Sequence, residues 1–265
     1  MNNGRHVITS AENPRVRQTR RLRDSKHRRQ TGMFLIDGVK EIRSAIDAGI
    51  SVSTLWLSSD SVGMDSSFGD DMRHAIQWVA PEILCRISYG QRGDDPVAVA
   101  SMPSTTLSDV ALKSTDLVLV LDRIEKPGNL GACLRSAAAC RVSAVILTSP
   151  VCDVFNPNTI RASRGAIFSV PIAVCEASEL QRFLTSVGIP VFAARVDATC
   201  QLWDCRFSHG AAVVFGSESQ GLGHDWRFAQ VQDFTIPMEP TIDSLNVSIS
   251  AAVTLYEAFR QRTLG

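Results

Sequence analysis

The stretch LVLVLDRIEKPGNLGACLRSAAACRVSAVILTS, Leu117 to Ser149, decides the fold class. It opens on an apolar run of strand length, Leu117 to Asp122, and turns through Pro127 and Gly128. A helical pattern follows from Asn129 to Cys140, then a second strand-length run, Ala144 to Ser149. Two nearly continuous apolar runs joined through one helix fit a parallel pair buried on both faces, because parallel strands need a long crossover between them. The alternation continues through a short helical turn near NPNTIRAS, then SVPIAV (Ser169 to Val174) and a helix from Ala177 to Gly188. PVFAAR, AAVVFG (Ala211 to Gly216) and a final helix complete it. The expectation is an α/β fold with a mostly parallel sheet covered on both faces, and ligands bound beyond the carboxyl ends of its strands.

The first hundred residues are organised differently. A basic stretch of helical character covers roughly residues 14 to 30, followed by the apolar run MFLIDG (Met33 to Gly38). Val39, Ile42, Ala45 and Ile46 recur at helical spacing, STLWLSS (Ser53 to Ser59) reads as a strand and MRHAIQWVA as a helix. GDDPVAVASMPSTTLSDV, Gly93 to Val110, is rich in small, polar and proline residues and reads as a boundary. Two domains are therefore expected, residues 1–104 and 105–265.

Composition excludes several classes. A chain of 265 residues that is 45% hydrophobic can bury a large core and reads as a soluble globular protein. The formal net charge is zero, yet RVRQTRRLRDSKHRR, Arg15 to Arg29, holds eight Arg or Lys against one Asp, a local basic face. Seven cysteines form no CxxC pair and have no histidines at ligand spacing, so they read as reduced, small apolar side chains rather than as a zinc site or a disulfide framework. MNNGRHVITS lacks the apolar core of a signal peptide, and no segment approaches the roughly 20 apolar residues of a membrane span. A cytoplasmic location and no membrane contact follow as expectations.

Three loops after strands carry the polar residues of interest. After LVLVLD, Asn129 stands where an N-cap belongs, and Arg135 lies on the helix it opens. Read alone, this is equally an ordinary capped helix with one exposed arginine. After AAVVFG comes SESQGLG, which has the punctuation of neither a P-loop nor GxGxxG nor GxSxG, so a nucleotide-phosphate cradle is poorly supported. There Glu218 alone could be a helix-start acid and nothing more. After DFTI comes PMEPTIDSLNVSIS, in which Ser244 and Asn246 flank Leu245 just before the apolar helix. One polar residue at that place is an N-cap; four or five in a row cost desolvation unless something satisfies them. The three loops could orient a hydroxyl or a phosphate and bind a polar cofactor through backbone groups.

NLGACLR, VVFGSESQGLG and IPMEPTIDSLNVSISAA, in this order and spacing, resemble the three motifs of the SpoU (TrmH) family of RNA ribose 2′-O-methyltransferases. RASRGAIFSVPI, Arg161 to Ile172, fits the segment between the first two motifs. ITSAENPRVRQTRRLRDSKHRRQTGMFLIDG resembles the RNA-binding domain of the ribosomal-RNA branch, akin to a small ribosomal protein, with Asp37 where Glu is more usual.

The resemblance implies a C-terminal trefoil knot that binds S-adenosylmethionine, an exception to the rule against threaded chains. It implies methyl transfer to a ribose 2′-hydroxyl of RNA, most naturally ribosomal RNA, with tRNA methylation or a non-catalytic RNA-binding role in ribosome assembly as alternatives. Gly216, Gly221, Ile236, Met238 and Leu245 would form the cofactor wall. Arg135, Asn129, Glu218, Ser244 and Asn246 would serve catalysis, Arg135 by binding phosphate and stabilising the developing alkoxide. Arg15, Arg17, Arg20, Arg21, Arg23, Lys26, Arg28 and Arg29 would face RNA phosphates. No metal is required, and a homodimer through the C-terminal domain is expected.

Overall fold

The computed structural model describes residues 6–61, 63–91, 95–228 and 230–264. It divides into two compact units, one of residues 1–103 with 155–168, the other of 104–154 with 169–265.

In the first unit β1 (Val7–Ile8) leads to α1 (Pro14–Arg21), whose first turn is fixed by Asn13, accepting from the Arg15 amide at 3.0 Å, and by Pro14 at the position where a missing N–H costs nothing. The basic stretch is not one helix. Asp24 accepts from the Lys26 amide at 2.7 Å and starts α2 (Ser25–Thr31), which Gly32 ends in the left-handed region at φ 65°. There follow β2 (Met33–Asp37), α3 (Val39–Asp47), β3 (Val52–Ser58), β4 (Ile76–Val79), α4 (Pro81–Ile87) and β5 (Val97–Ser101). The sheet order is β1-β4-β3-β5-β2, parallel from β1 to β3 and antiparallel beyond. Leu35, Trp56, Val97 and Val99 on one face pack with Val16 and Leu22 near α1 and with Ile83, Leu84 and Ile87 of α4.

One reading fails here. MRHAIQWVA is a 3-10 turn over Asp70–Ala75 followed by β4, because Ile76, Trp78 and Val79 suit a strand and β3 offers an unfilled edge for parallel pairing. The stretch from Gly93 to Val110 contains β5, which lies between β2 and β3, and the division between the two units follows it at Pro103 and Ser104. Its alternating Val and Ala are small enough to be buried throughout Val97 to Ala100.

The second unit is built on β6 (Leu117–Asp122), α5 (Pro127–Ala139) and β7 (Ala144–Thr148). Every residue of β6 and β7 is buried, the signature of strands covered on both faces. The chain then passes through α6 (Pro157–Ser163), which belongs to the first unit: Phe155 and Phe168, on either side of it, pack as tilted rings against Phe34 of β2, with ring centroids 5.0 and 6.2 Å away. It continues as β8 (Ile172–Cys175), α7 (Ala177–Val187), β9 (Val191–Ala194), β10 (Ala211–Phe215), β11 (Val231–Phe234) and α8 (Val247–Leu264).

All pairings in the six-stranded sheet are parallel, in the order β11-β9-β10-β6-β7-β8. Leu180 and Leu184 of α7, both at zero exposure, pack against Val118, Val120, Ile146 and Val214 on one face. Burying each leucine stabilises by roughly 1.5–3 kcal/mol, so Leu184→Ala should cost about 2–5 kcal/mol with its cavity included. Since β7 and β8 lie on one side of β6 and β9 to β11 on the other, the strand order reverses between β6 and β10. That reversal opens a crevice at the carboxyl ends of the strands, where open parallel sheets bind ligands.

Candidate cofactor site

A cavity of about 490 Å³ occupies that crevice. Its walls come from the segments that leave β6, β9, β10 and β11, and from the stretch that leads into α8. All five residues expected to hold the cofactor, Gly216, Gly221, Ile236, Met238 and Leu245, line it, as do Glu218, Ser244 and Asn246.

The turn after β10 explains its glycines. Ser217 and Gly221 form an antiparallel bridge, with the Gly221 amide donating to the Ser217 carbonyl at 3.0 Å and the Gln220 amide to Ser217 Oγ at 3.0 Å. Gly221 adopts φ 64°. A Cβ on Gly216 would overlap the Gly221 carbonyl group and the Leu222 amide, so only glycine lets strand end and turn close on each other.

Glu218, projecting from this turn, joins the three loops. Its carboxylate accepts from Asn129 Nδ2 at 2.7 Å and from the Glu125 amide at 3.2 Å. Asn129 Oδ1 accepts in turn from Asn246 Nδ2 at 3.2 Å. Asn246 Oδ1 takes the Ser248 amide at 2.9 Å and the Ser248 hydroxyl at 2.7 Å, so the same side chain caps α8. Ser219 bonds the Glu125 carboxylate, which holds that group below the usual carboxylate range. The opposite wall rests on Arg195, which pairs with Asp233 at 3.1 Å and donates to the carbonyls of Leu222, Gly223 and Trp226 at 3.1–3.3 Å. Sequence reading missed Arg195, although a lone arginine closing the apolar run PVFAAR is a signal for one.

The wall thus combines apolar side chains (Leu222, Ile236, Met238, Leu245), carboxylates (Glu218, Asp243) and exposed turns of backbone. Of its cations, Arg195 is committed to the protein, which leaves Lys126. That balance suits a compact ligand with apolar parts and a positive centre better than a polyphosphate.

Arg135 is not brought to this cavity. It stands on the exposed face of α5, six residues beyond Asn129, and makes no hydrogen bond or ion pair among the described residues.

The basic stretch also divides. Arg17, Arg20, Arg21, Lys26 and Arg29 are exposed, and Arg15 is exposed while donating to Gln77 Oε1 at 2.9 Å. Arg23 turns inward, pairing with Asp37 at 3.3 Å and bonding the Ile87 carbonyl. Arg28 corrects the expectation of a phosphate contact: at 1% exposure it donates to the carbonyls of Leu22 and Arg23, both at 2.8 Å, and secures the corner between α1 and α2. A buried guanidinium with these partners cannot reach a surface phosphate.

A parallel sheet with a ligand crevice at its strand-order reversal, closed by three loops tied through Glu218, Asn129 and Asn246, is the frame of a group-transfer enzyme with a small cofactor. Residues 116–256 match the SpoU rRNA Methylase family and residues 13–98 the MRM3-like substrate binding domain. The chain belongs to the SpoU rRNA methylase family. It is 32% identical over 96% of its length to an uncharacterized tRNA/rRNA methyltransferase of Synechocystis, covering 94% of that protein. It is 30% identical over 97% of its length to the 23S rRNA (uridine(2479)-2′-O)-methyltransferase of Streptomyces viridochromogenes, covering 93% of it. The structure of the SpoU methyltransferase AviRb from that organism, in complex with the cofactor AdoMet, superposes with a TM-score of 0.86 at 27% identity, over 96% of this chain and 100% of the other.

Proposed function

We propose that this protein transfers a methyl group from S-adenosylmethionine to a ribose 2′-hydroxyl of ribosomal RNA. One observation carries the reading: the hydrogen-bond chain from Glu218 through Asn129 to Asn246 closes a cavity of cofactor size at the reversal of the parallel sheet. When bound, S-adenosylmethionine supplies a methyl group already activated on a sulfonium, so the chemistry needs no metal.

The residues here would hold that cofactor by shape and backbone. Gly216, Gly221, Ile236, Met238 and Leu245 form the wall, and the carboxylates of Glu218 and Asp243 favour a positive centre. What remains for the protein is to align the ribose oxygen and manage its proton. Ser244 and Asn246 hold the approach to the cavity. Arg135 binds a substrate phosphate through its guanidinium and stabilises charge developing on the 2′-oxygen.

Since one chain leaves Arg135 outside its own cavity, a second copy must complete the site. The exposed surface supports this. Ile249 and Tyr256 of α8 are 51% and 56% exposed and lie about two helical turns apart, with half-buried Val253 between them on the same stripe. α8 packs on α5, which carries Arg135. An apolar stripe of this kind marks an interface, and a homodimer through these helices brings Arg135 of each protomer to its partner's cavity. Leu255, by contrast, is core at zero exposure.

The route of the chain supports the knot. After β11 at the sheet edge it runs past the ends of β9 and β10, lining the cavity, before α8 settles on α5. Residues 1–104 form the RNA-binding domain and deliver the RNA through Arg15, Arg17, Arg20, Arg21, Lys26 and Arg29, and the enzyme acts in the cytoplasm. The test is methyl incorporation from labelled S-adenosylmethionine into purified 23S rRNA and tRNA. Labelling of 23S rRNA supports the reading; labelling of tRNA alone selects the other substrate, and no cofactor binding would leave only an RNA-binding protein.

A further inference from the structure

The first unit contains a cleft of about 670 Å³ between α1–α2 and the sheet. Its rim carries Arg15 and Arg21 from α1, His74, and Gln77 of β4; deeper in lie His27 and Trp56. None of the described lining residues is acidic, although the chain as a whole balances 27 basic residues against 27 acidic ones.

Trp56 is 1% exposed, and its indole N–H has no partner; Nδ1 of His27 is likewise buried without one. Unpaired buried polar groups cost free energy, and two lining one cleft invite a ligand with a donor and an acceptor on a flat edge. A neighbouring cavity of about 760 Å³ near Tyr89 lacks this character, because Glu82 lines it and Arg23 is already paired with Asp37.

We propose that this cleft holds one unpaired nucleotide of the RNA substrate. Its base enters toward the Trp56 N–H, His27 and Gln77, and its phosphates lie against Arg15, Arg21 and His74. A paired base cannot enter a concave site, whereas a loop or bulge nucleotide presents both its hydrogen-bonding edge and its phosphates. The basic face of α1 and α2 then attracts RNA generally, and the cleft selects single-stranded character. This inference rests on the reading of the protein as an RNA methyltransferase.

The test uses the full chain and fluorescence anisotropy with two probes, a labelled single-stranded oligoribonucleotide and a blunt RNA duplex of the same sequence. Arg21→Ala/His74→Ala alters two exposed side chains and should weaken single-strand binding about tenfold while changing duplex binding less than about twofold. Trp56→Phe keeps an aromatic ring but deletes the unpaired donor together with part of the buried indole. It should weaken single-strand binding about threefold or more while changing duplex binding less than about twofold, alongside a modest fall in melting temperature from the cavity left in the core. A retained far-ultraviolet circular dichroism spectrum and a cooperative melting transition report that both variants are folded.

Wild-type single-strand affinity in both variants, with Arg17→Ala/Arg20→Ala/Arg29→Ala weakening both probes, would overturn the cleft and leave the enzyme reading intact. A wild-type protein that binds neither probe and labels no rRNA would overturn both.

Discussion

Asn129 and Glu218, 89 residues apart in the chain, meet at 2.7 Å, and the contact joins the start of α5 to the turn after β10. Because Asn129 also accepts from Asn246, removing Asn129 should release all three loops together, and removing Glu218 should free the turn after β10 from the other two. Asn129→Ala and Glu218→Ala are each expected to lower kcat about 10- to 100-fold, the worth of a hydrogen bond to a charged group. The double variant should lose little more than either single one, because the residues act as a unit. Additive losses in a double-mutant cycle would show that the two act separately.

Gly216 has no room for a side chain, since a Cβ there overlaps the backbone of Gly221 and Leu222. Gly216→Val should push the turn off the strand end, at a cost of about 1–3 kcal/mol in stability. The more specific consequence is at the cavity wall: S-adenosylmethionine affinity, measured by calorimetry, should fall more than about tenfold. Unchanged affinity would place the cofactor elsewhere.

Arg135 is exposed and unpaired among the described residues, so Arg135→Ala should leave melting temperature and cofactor affinity unchanged while lowering kcat about 100-fold or more. Mixed dimers give a sharper reading. Pairing an Arg135→Ala chain with a Gly216→Val chain unites one intact cavity with one intact arginine only if the arginine acts across the interface. Activity restored on mixing the two inactive variants is the expected result; none would place Arg135 in its own chain's site.

Asp37 stands inside the first unit, 9% exposed at its side chain, beside Arg23. Burial raises its pKa above the ordinary 3.8, and the Arg23 charge and the Tyr89 amide bond only partly offset this. In the native state the proton is therefore held more tightly than in the unfolded chain. The stability contribution is complete below 3.8 and lost as pH rises through the raised value. Urea melts of wild type and Asp37→Asn between about pH 4 and about pH 7 should show the variant gaining on the wild type as pH increases. A constant difference would contradict the assignment.

The parallel sheet was legible because β10 is apolar along its whole length and β6 up to its final Asp122, and only burial on both faces uses such runs. The stretch Met72 to Ala80 was not, since Ile76, Trp78 and Val79 become a strand by pairing with β3, a contact remote in sequence. The basic run shows the same limit. Eight cations in fifteen residues announce a charged face, but nothing local marks Arg28 as the one that turns inward to carbonyls at the helix corner. Nor does local sequence assign Phe155 and Phe168 to the first unit, because their partner Phe34 lies over a hundred residues earlier. At the site, each polar residue alone had an ordinary reading as a cap or a helix-start acid. Only their meeting, Glu218 to Asn129 to Asn246, gives them a joint role.

The most direct measurement supplies labelled S-adenosylmethionine and purified 23S rRNA to the wild-type protein, then subjects the product to alkaline hydrolysis. A methylated ribose 2′-oxygen cannot attack its own phosphate, so the account predicts one labelled, alkali-resistant dinucleotide from a single position. Label recovered in mononucleotides, or no label in any RNA, would contradict it.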